Sequence, residues 1–182
     1  MTGPRKLVTP LGLCALVLAA AVVILDQLSK WWVLNALDLP ERGQIPVLPF
    51  FRLSMVMNRG VSYGLLRADN EVMRWLLVAG ALAVVVWLVY WVRNTTRPWF
   101  ATAIGLVIGG ALGNNLIDRV RLGHVTDFLD FSGLGFPWVF NVADSAISVG
   151  VALLLLDVFL LEKPAAGKAP EKLRESATDK PA

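Results

Sequence analysis

Apolar residues along this chain come in long runs, roughly Leu11 to Val33, Val72 to Val92, Trp99 to Ile117 and Val142 to Leu161, with polar residues gathered between them. A helix needs about 20 apolar residues to cross the hydrocarbon of a bilayer. Each run predicts one membrane-spanning helix, so the chain reads as an all-α membrane protein with four transmembrane helices. The segment between the first two runs, 35–71, has a different texture. Ile45 to Met57 alternates apolar positions among prolines and phenylalanines and suits short strands, while Val61 to Arg74 suits an amphipathic helix lying on the membrane surface. Beyond Leu161 the tail EKPAAGKAPEKLRESATDKPA is charged, rich in alanine and proline, and has no apolar face, which predicts disorder. The expected organisation is an N-terminal segment 1–10, a membrane domain 11–161 that includes the loop 35–71, and a tail 162–182.

Composition agrees and excludes several chemistries. The 182 residues are 56% hydrophobic and 17% charged, with a mean hydropathy of +0.61, too apolar for a soluble domain of this size. A single cysteine, Cys14, rules out an intrachain disulfide, and with one histidine, His124, no Cys/His metal cluster is expected. No metal or other cofactor is expected. The net charge of +3 comes without an aromatic-interleaved basic stripe, so nucleic acid is not an expected partner. Arg5 and Lys6 before an apolar stretch resemble a secretory signal, and LGLC at 11–14 is similar to the box before a lipidated cysteine, but too few apolar residues precede Cys14 and the run continues past it without a cleavage-like break. Gly105, Gly109 and Gly113, with Gly110 beside them, give the third run a smooth face for close helix packing.

Four spans place both termini on one side, together with the turn RNTTRP at 93–98. Arg5 and Lys6 precede the first run, and the segments on that side carry hardly any acid near the membrane, so the termini are read as cytoplasmic. Asp26 and Lys30 then end the first helix at the outer face. Asn115, Asp118 and Arg119 end the third there, Asn141 and Asp144 begin the fourth there, and Asn58 lies in the outer loop.

Each of these residues has an ordinary structural reading. Asp26 and Lys30, at i and i+4, can form a helical ion pair. Asn115 and Asp118 can tie off a helix end, Arg119 and Arg121 can reach towards headgroups, and Asn141 with Asp144 resembles a capping box. Asp130 reads as the most dispensable acid. Capping explains why Asp144 is tolerated but not why Asp127 should face it. Two carboxylates sharing one proton can activate water and protonate a carbonyl, which is aspartic-protease chemistry. A helix N-terminus favours an ionised Asp144 and leaves the proton on Asp127. A serine–lysine pair, Ser29 with Lys30, is the rival, though neighbours on a helix point about 100° apart. A proton-coupled transporter would place acids at helix centres, which carry none, and a non-catalytic scaffold would tolerate loss of both aspartates.

DQLSK at 26–30, NRG at 58–60 followed by VSYG, NLIDR at 115–119, GHVTDF at 123–128 and FNVADS at 140–145 resemble, in order, the blocks of the lipoprotein signal peptidase (signal peptidase II) family. The resemblance runs from about Leu11 to Leu161. It implies a bacterial inner-membrane aspartyl endopeptidase that acts on diacylglyceryl-modified prolipoproteins, cutting just before the lipidated cysteine. It also implies that the outer loop forms a small extracytoplasmic β-cradle and a surface helix acting as a lid. The implied catalytic pair is Asp127 and Asp144, supported by Asp26, Lys30, Asn58, Gly60, Asn115, Asp118, Arg119 and Asn141. The expected partners are the lipid-modified substrate and membrane lipids, with the enzyme a monomer. Two departures stand out. The family reads Gly-Asn ahead of the two residues before Asp-Arg, whereas here Asn114 fills the glycine position and Gly113 lies one residue earlier; Tyr63 stands where phenylalanine is usual.

Overall fold

The computed structural model describes residues 7–60 and 70–157. Helix α1, Pro10–Trp31, is started by Thr9, whose side chain accepts from the Gly12 N–H, and by Pro10 in the first turn. It continues as a π-helical segment, Trp32–Ala36, and the short helix α2, Leu39–Arg42, follows. Strands β1, Gln44–Leu48, and β2, Phe51–Asn58, lead to α3, Glu71–Val92. Helix α4, Pro98–Ala111, runs through a second π segment, Leu112–Asp118, into α5, Arg119–Arg121. Strands β3, Val125–Asp130, and β4, Val139–Phe140, precede α6, Val142–Leu156.

Among the described residues, three helical stretches are long and apolar enough to span a membrane: Pro10–Ala36, Glu71–Val92 and Pro98–Arg121. The fourth, α6, is apolar but shorter, and its expected extension to Leu161 lies outside the described residues, as does the tail 162–182. Of the surface helix expected over Val61 to Arg74, residues 61–69 also lie outside. The rest corrects that expectation, because Glu71 to Arg74 form the first turn of α3, capped by the Asn70 side chain accepting from the Met73 N–H.

Helices gain little from hydrophobic burial when lipid is the solvent, so close van der Waals contact has to hold them together. The glycine-rich third run supplies it on two faces. A β-carbon on Gly105 or Gly109 would stand 2.6 or 2.7 Å from the carbonyl oxygens of Ala15 and Ala19 in α1. On Gly110 it would stand 2.4 Å from the Ala143 oxygen in α6, and α6 returns the approach through Gly150 against Ala103. Around this seam Val85, Leu88 and Val92 of α3 close over Phe100, Ile104 and Ile108. Leu13, Val17, Trp87 and Tyr90 face outward, as surfaces bathed in lipid require. At the end of the bundle away from the sheet, Thr9 N–H donates to the Arg93 carbonyl and Arg97 pairs with the buried Asp157 at 2.6 Å.

The sheet takes in more of the chain than the short strands expected over Ile45 to Met57. Its order is β1-β2-β3-β4, antiparallel throughout. The segment VTDFLD forms β3 beside β2, with Val56 opposite Asp127 and Arg52 opposite Asp130. Leu53 and Phe128 anchor the sheet against Val33 and Leu39 in a second small core. Side chains alternate along a strand, so Asp127 and Asp130 leave β3 on opposite faces. Asp130, read from the sequence as the most dispensable of the acids, has a structural place of its own. It is buried, accepts from Ser54 Oγ at 2.6 Å and Arg52 Nε at 2.9 Å, and its other oxygen caps the Ser132 N–H at 2.9 Å. Burial works against its charge, but the hydrogen bonds from Ser132 and Ser54 and the Arg52 guanidinium hold its carboxyl below the usual range.

Candidate active site

Asp127 sits on β3 with 2% of its surface exposed, and Asp144 sits in the first turn of α6. The short link from β4 to α6 carries Asn141, which joins them. Its side-chain oxygen accepts from the Asp144 N–H at 2.9 Å and its own N–H donates to Asp144 Oδ2 at 3.3 Å, the capping box suggested by the sequence. That box leaves the Asn141 amide nitrogen free, and it donates to Asp127 Oδ1 at 2.6 Å. Both aspartates line a cavity of about 1150 Å³ bounded by Asn58, the chain at Gly60 and an aromatic wall of Phe136, Trp138 and Phe140.

Two further asparagines are used in the same way. Asn58 accepts from the Gly60 N–H at 3.0 Å and donates to Asp127 Oδ2 at 3.0 Å. Asn114 accepts from Lys30 Nζ at 2.7 Å and donates to Asp144 Oδ1 at 2.8 Å. Each amide has its oxygen held by an N–H group, so its NH₂ has to face a carboxylate. Burial first, and then the neighbouring charge of Asp144, push the Asp127 carboxyl up to about 7, against the opposing pull of the Asn58 and Asn141 donors. A carboxyl tuned this way keeps its proton near neutral pH, ready to donate.

Beneath the pair lies a buried ionic cluster. Lys30, 3% exposed, is 2.7 Å from Asp26 Oδ2 and 2.7 Å from Asp118 Oδ2, so the expected helical ion pair exists and extends across to the third span. Asp26 Oδ1 accepts from the Ala143 N–H at 3.0 Å and thereby ties α1 to the start of α6. Asp118 also accepts from Gln27 at 2.8 Å and from the Thr126 N–H at 3.2 Å, which ties the third span to β3. The serine–lysine alternative fails on geometry. Ser29 Oγ donates to the Asp26 carbonyl in its own helix at 2.7 Å, and Lys30 is held by two carboxylates.

Arg119 does not reach towards headgroups as its position suggests. It is buried, and its guanidinium donates to the carbonyls of Gly60 and Arg59, holding the chain at the end of β2 against the third span. Asn115 accepts from Arg119 Nε at 3.1 Å. The residue that contacts Asp144 is Asn114, which sequence reasoning passed over. Its signal was the extra position between Gly113 and Asp118.

The family model described as Signal peptidase (SPase) II matches residues 18–160. The chain belongs to the signal peptidase II family. Similar relatives within it include the lipoprotein signal peptidase of Caulobacter vibrioides, 54% identical over 160 residues covering 88% of this chain and 95% of the relative. That of Rhizorhabdus wittichii is 45% identical over 166 residues, covering 90% and 94%. Among solved structures, a bacterial membrane enzyme determined by the in meso method at 2.3 Å aligns with a TM-score of 0.69 and 29% identity, covering 85% of this chain and 94% of that one. As a signal peptidase II the chain is a multi-pass membrane protein and an aspartic endopeptidase of the lipoprotein signal peptidase type.

Proposed function

We propose that Asp127 and Asp144 form the catalytic dyad of an endopeptidase that releases signal peptides from diacylglyceryl-modified prolipoproteins, cutting on the N-terminal side of the lipidated cysteine. The observation that carries this reading is Asn141, one residue hydrogen-bonded to both carboxylates at the wall of a single cavity. In the resting pair Asp127 holds the proton and Asp144 is ionised at the α6 N-terminus, where the helix dipole favours negative charge. Asp144 takes a proton from water while Asp127 protonates the scissile carbonyl oxygen, giving a tetrahedral gem-diol. The proton gained by Asp144 then passes to the departing amine, the C–N bond breaks, and the new carboxyl product returns a proton to the pair. Asn58, Asn141 and Asn114 hold the carboxylates in place, and Asp26, Lys30, Asp118 and Arg119 hold the helices and the β2 end that carry them.

With α6 taken as a fourth span both termini fall on one side, and Arg5 and Lys6 ahead of the first span support placing them in the cytoplasm, with the site at the outer face of the bacterial inner membrane. There the substrate's lipid chains stay in the bilayer and its peptide meets the aromatic wall. We read the enzyme as a monomer whose dyad, supporting residues and cavity wall all belong to one chain.

The test is cleavage and binding of a lipidated prolipoprotein by purified protein. Asp127→Asn and Asp144→Asn should each abolish cleavage while binding persists, and the double variant should be hardly worse than either, since groups that act as a unit are strongly non-additive. Substantial turnover by either single variant would remove that residue from the mechanism. Independent, multiplicative losses would show that the two acids do not form a dyad.

A further inference from the structure

The third span holds one residue more than its motif requires, since both Asn114 and Asn115 stand between Gly113 and the pair before Asp118-Arg119. An α-helix turns about 100° per residue, so a surplus residue would swing everything beyond it off its face. Here the surplus is taken up as a π turn: over Leu112–Asp118 the helix widens, and the Arg119 N–H donates to the Asn114 carbonyl five residues back. Gly113 stays against Asp26, where a β-carbon would stand 2.7 Å from its carboxylate, and Asp118 and Arg119 keep their partners in α1 and at the β2 end. The two asparagines divide the work. Asn114 is buried and faces Asp144; Asn115 is half-buried and faces Arg119.

We propose that Asn114 is a positioning residue that relays the charge of Lys30 to Asp144 and so fixes Asp144 as the ionised member of the pair, a place it takes instead of Asn115 because of the π turn. The inference rests on the dyad reading above. The Asn114 oxygen accepts from Lys30 Nζ at 2.7 Å and from Asn141 Nδ2 at 3.1 Å, so only its NH₂ is left for Asp144 Oδ1. An amide whose oxygen is bound by a cation is polarised and becomes a stronger donor. Asp127 has no such hydrogen-bonded link to a cation, although Lys30 and Arg119 act on it through space. Its donors, Asn58 and Asn141, have their oxygens held by the backbone N–H groups of Gly60 and Asp144. One buried ammonium thus biases two otherwise similarly hydrogen-bonded carboxylates. The charged groups acting on Asp144 are Lys30 and Asp26 from α1, Arg119 from the third span and Asp127 from β3, and among them Lys30 is linked to Asp144 through the Asn114 side chain.

The experiment measures kcat, KM and the pH profile of the full-length protein on a lipidated prolipoprotein for Asn114→Ala, Asn114→Asp and Asn115→Ala, with Asp127→Asn and Asp144→Asn alongside. Asn114→Ala should lower kcat about tenfold to a hundredfold, the range expected for one hydrogen bond to a charged group, with KM within about threefold. Its acid limb should move to higher pH, because an ionised acceptor has lost its donor. Asn114→Asp keeps the size and the contact with Lys30 but offers Asp144 no NH₂, so it should be at least as impaired; it carries the test if the alanine variant does not fold. Asn115→Ala should leave the acid limb where it is, whatever happens to the rate. An unmoved acid limb in the Asn114 variants, or a moved one in Asn115→Ala, overturns the relay while inactive Asp127→Asn and Asp144→Asn leave the dyad standing. Turnover by those aspartate variants would overturn the dyad itself.

Discussion

A buried carboxyl that keeps its proton is a burden on the folded state, and at Asp127 the burden has a definite pH signature. The folded-state value of about 7 lies above the unfolded value of 3.8, so between the two the folded protein holds a proton that the unfolded chain has released. Stability therefore falls as pH rises through that window and is fully lost to this group above it. Asp127→Asn removes the titration. The variant should be inactive yet melt at least about 3 °C above the native protein at pH 8, with the gap closing towards pH 4, the scale expected for a kcal/mol or so in a chain of this length. Thermal unfolding in detergent at the two pH values decides it, and an equal gap at both would exclude titration as the cause. At this scale the sequence was legible where chemistry constrains residue type. The two aspartates, Asn58 and Asn141 stand in one constellation as their motifs implied. Of the two readings of Arg119, reaching outward and supporting the site, the outward one fails, because the fold of a distant strand end makes burial favourable.

Elements were legible in proportion to how local their causes are. Long apolar runs gave the helices within a few residues, and the glycine spacing gave the packing face. Strand β3 was missed: VTDFLD is short, and its pairing depends on β2, nearly seventy residues earlier in the chain. The π turn was missed for a similar reason, since a surplus residue shows in the sequence only as a break in motif spacing and its accommodation is settled by contacts on both sides. Asp130 acquires its role from the same pairing. It pins β3 to β2 through Ser54 and Arg52, so Asp130→Asn should lower the melting temperature by a few degrees, the loss of about 1–3 kcal/mol of charge-assisted hydrogen bonding. Its cleavage rate at a temperature where the variant is folded should stay near native. A dead but native-like Asp130→Asn would show that this acid does more than hold strands together.

Across the whole molecule, the polar end of the bundle is assembled from distant parts of the chain around one cation. Lys30 from α1 meets Asp118 and Asn114 from the third span, and Asp26 meets the first turn of α6. Removing the ammonium would leave two buried carboxylates uncompensated, which typically costs about 3–5 kcal/mol. Lys30→Met should therefore sharply reduce the folded yield after detergent extraction, and adding Asp26→Asn and Asp118→Asn should recover much of it. A Lys30→Met protein as stable as the native one would mean that the cluster does not hold the bundle. The same arrangement governs how the protein is born. The first helix leaves the ribosome carrying Asp26 and Lys30, but Asp118 and the α6 backbone that complete their set are synthesised roughly ninety and a hundred and fifteen residues later. Until Asp118 has been made, neither carboxylate of the proposed pair exists, because Asp127 and Asp144 follow it in the chain. A nascent chain stalled before Asp144 consequently lacks one member of the proposed pair, and on that reading it cannot cut the peptides around it.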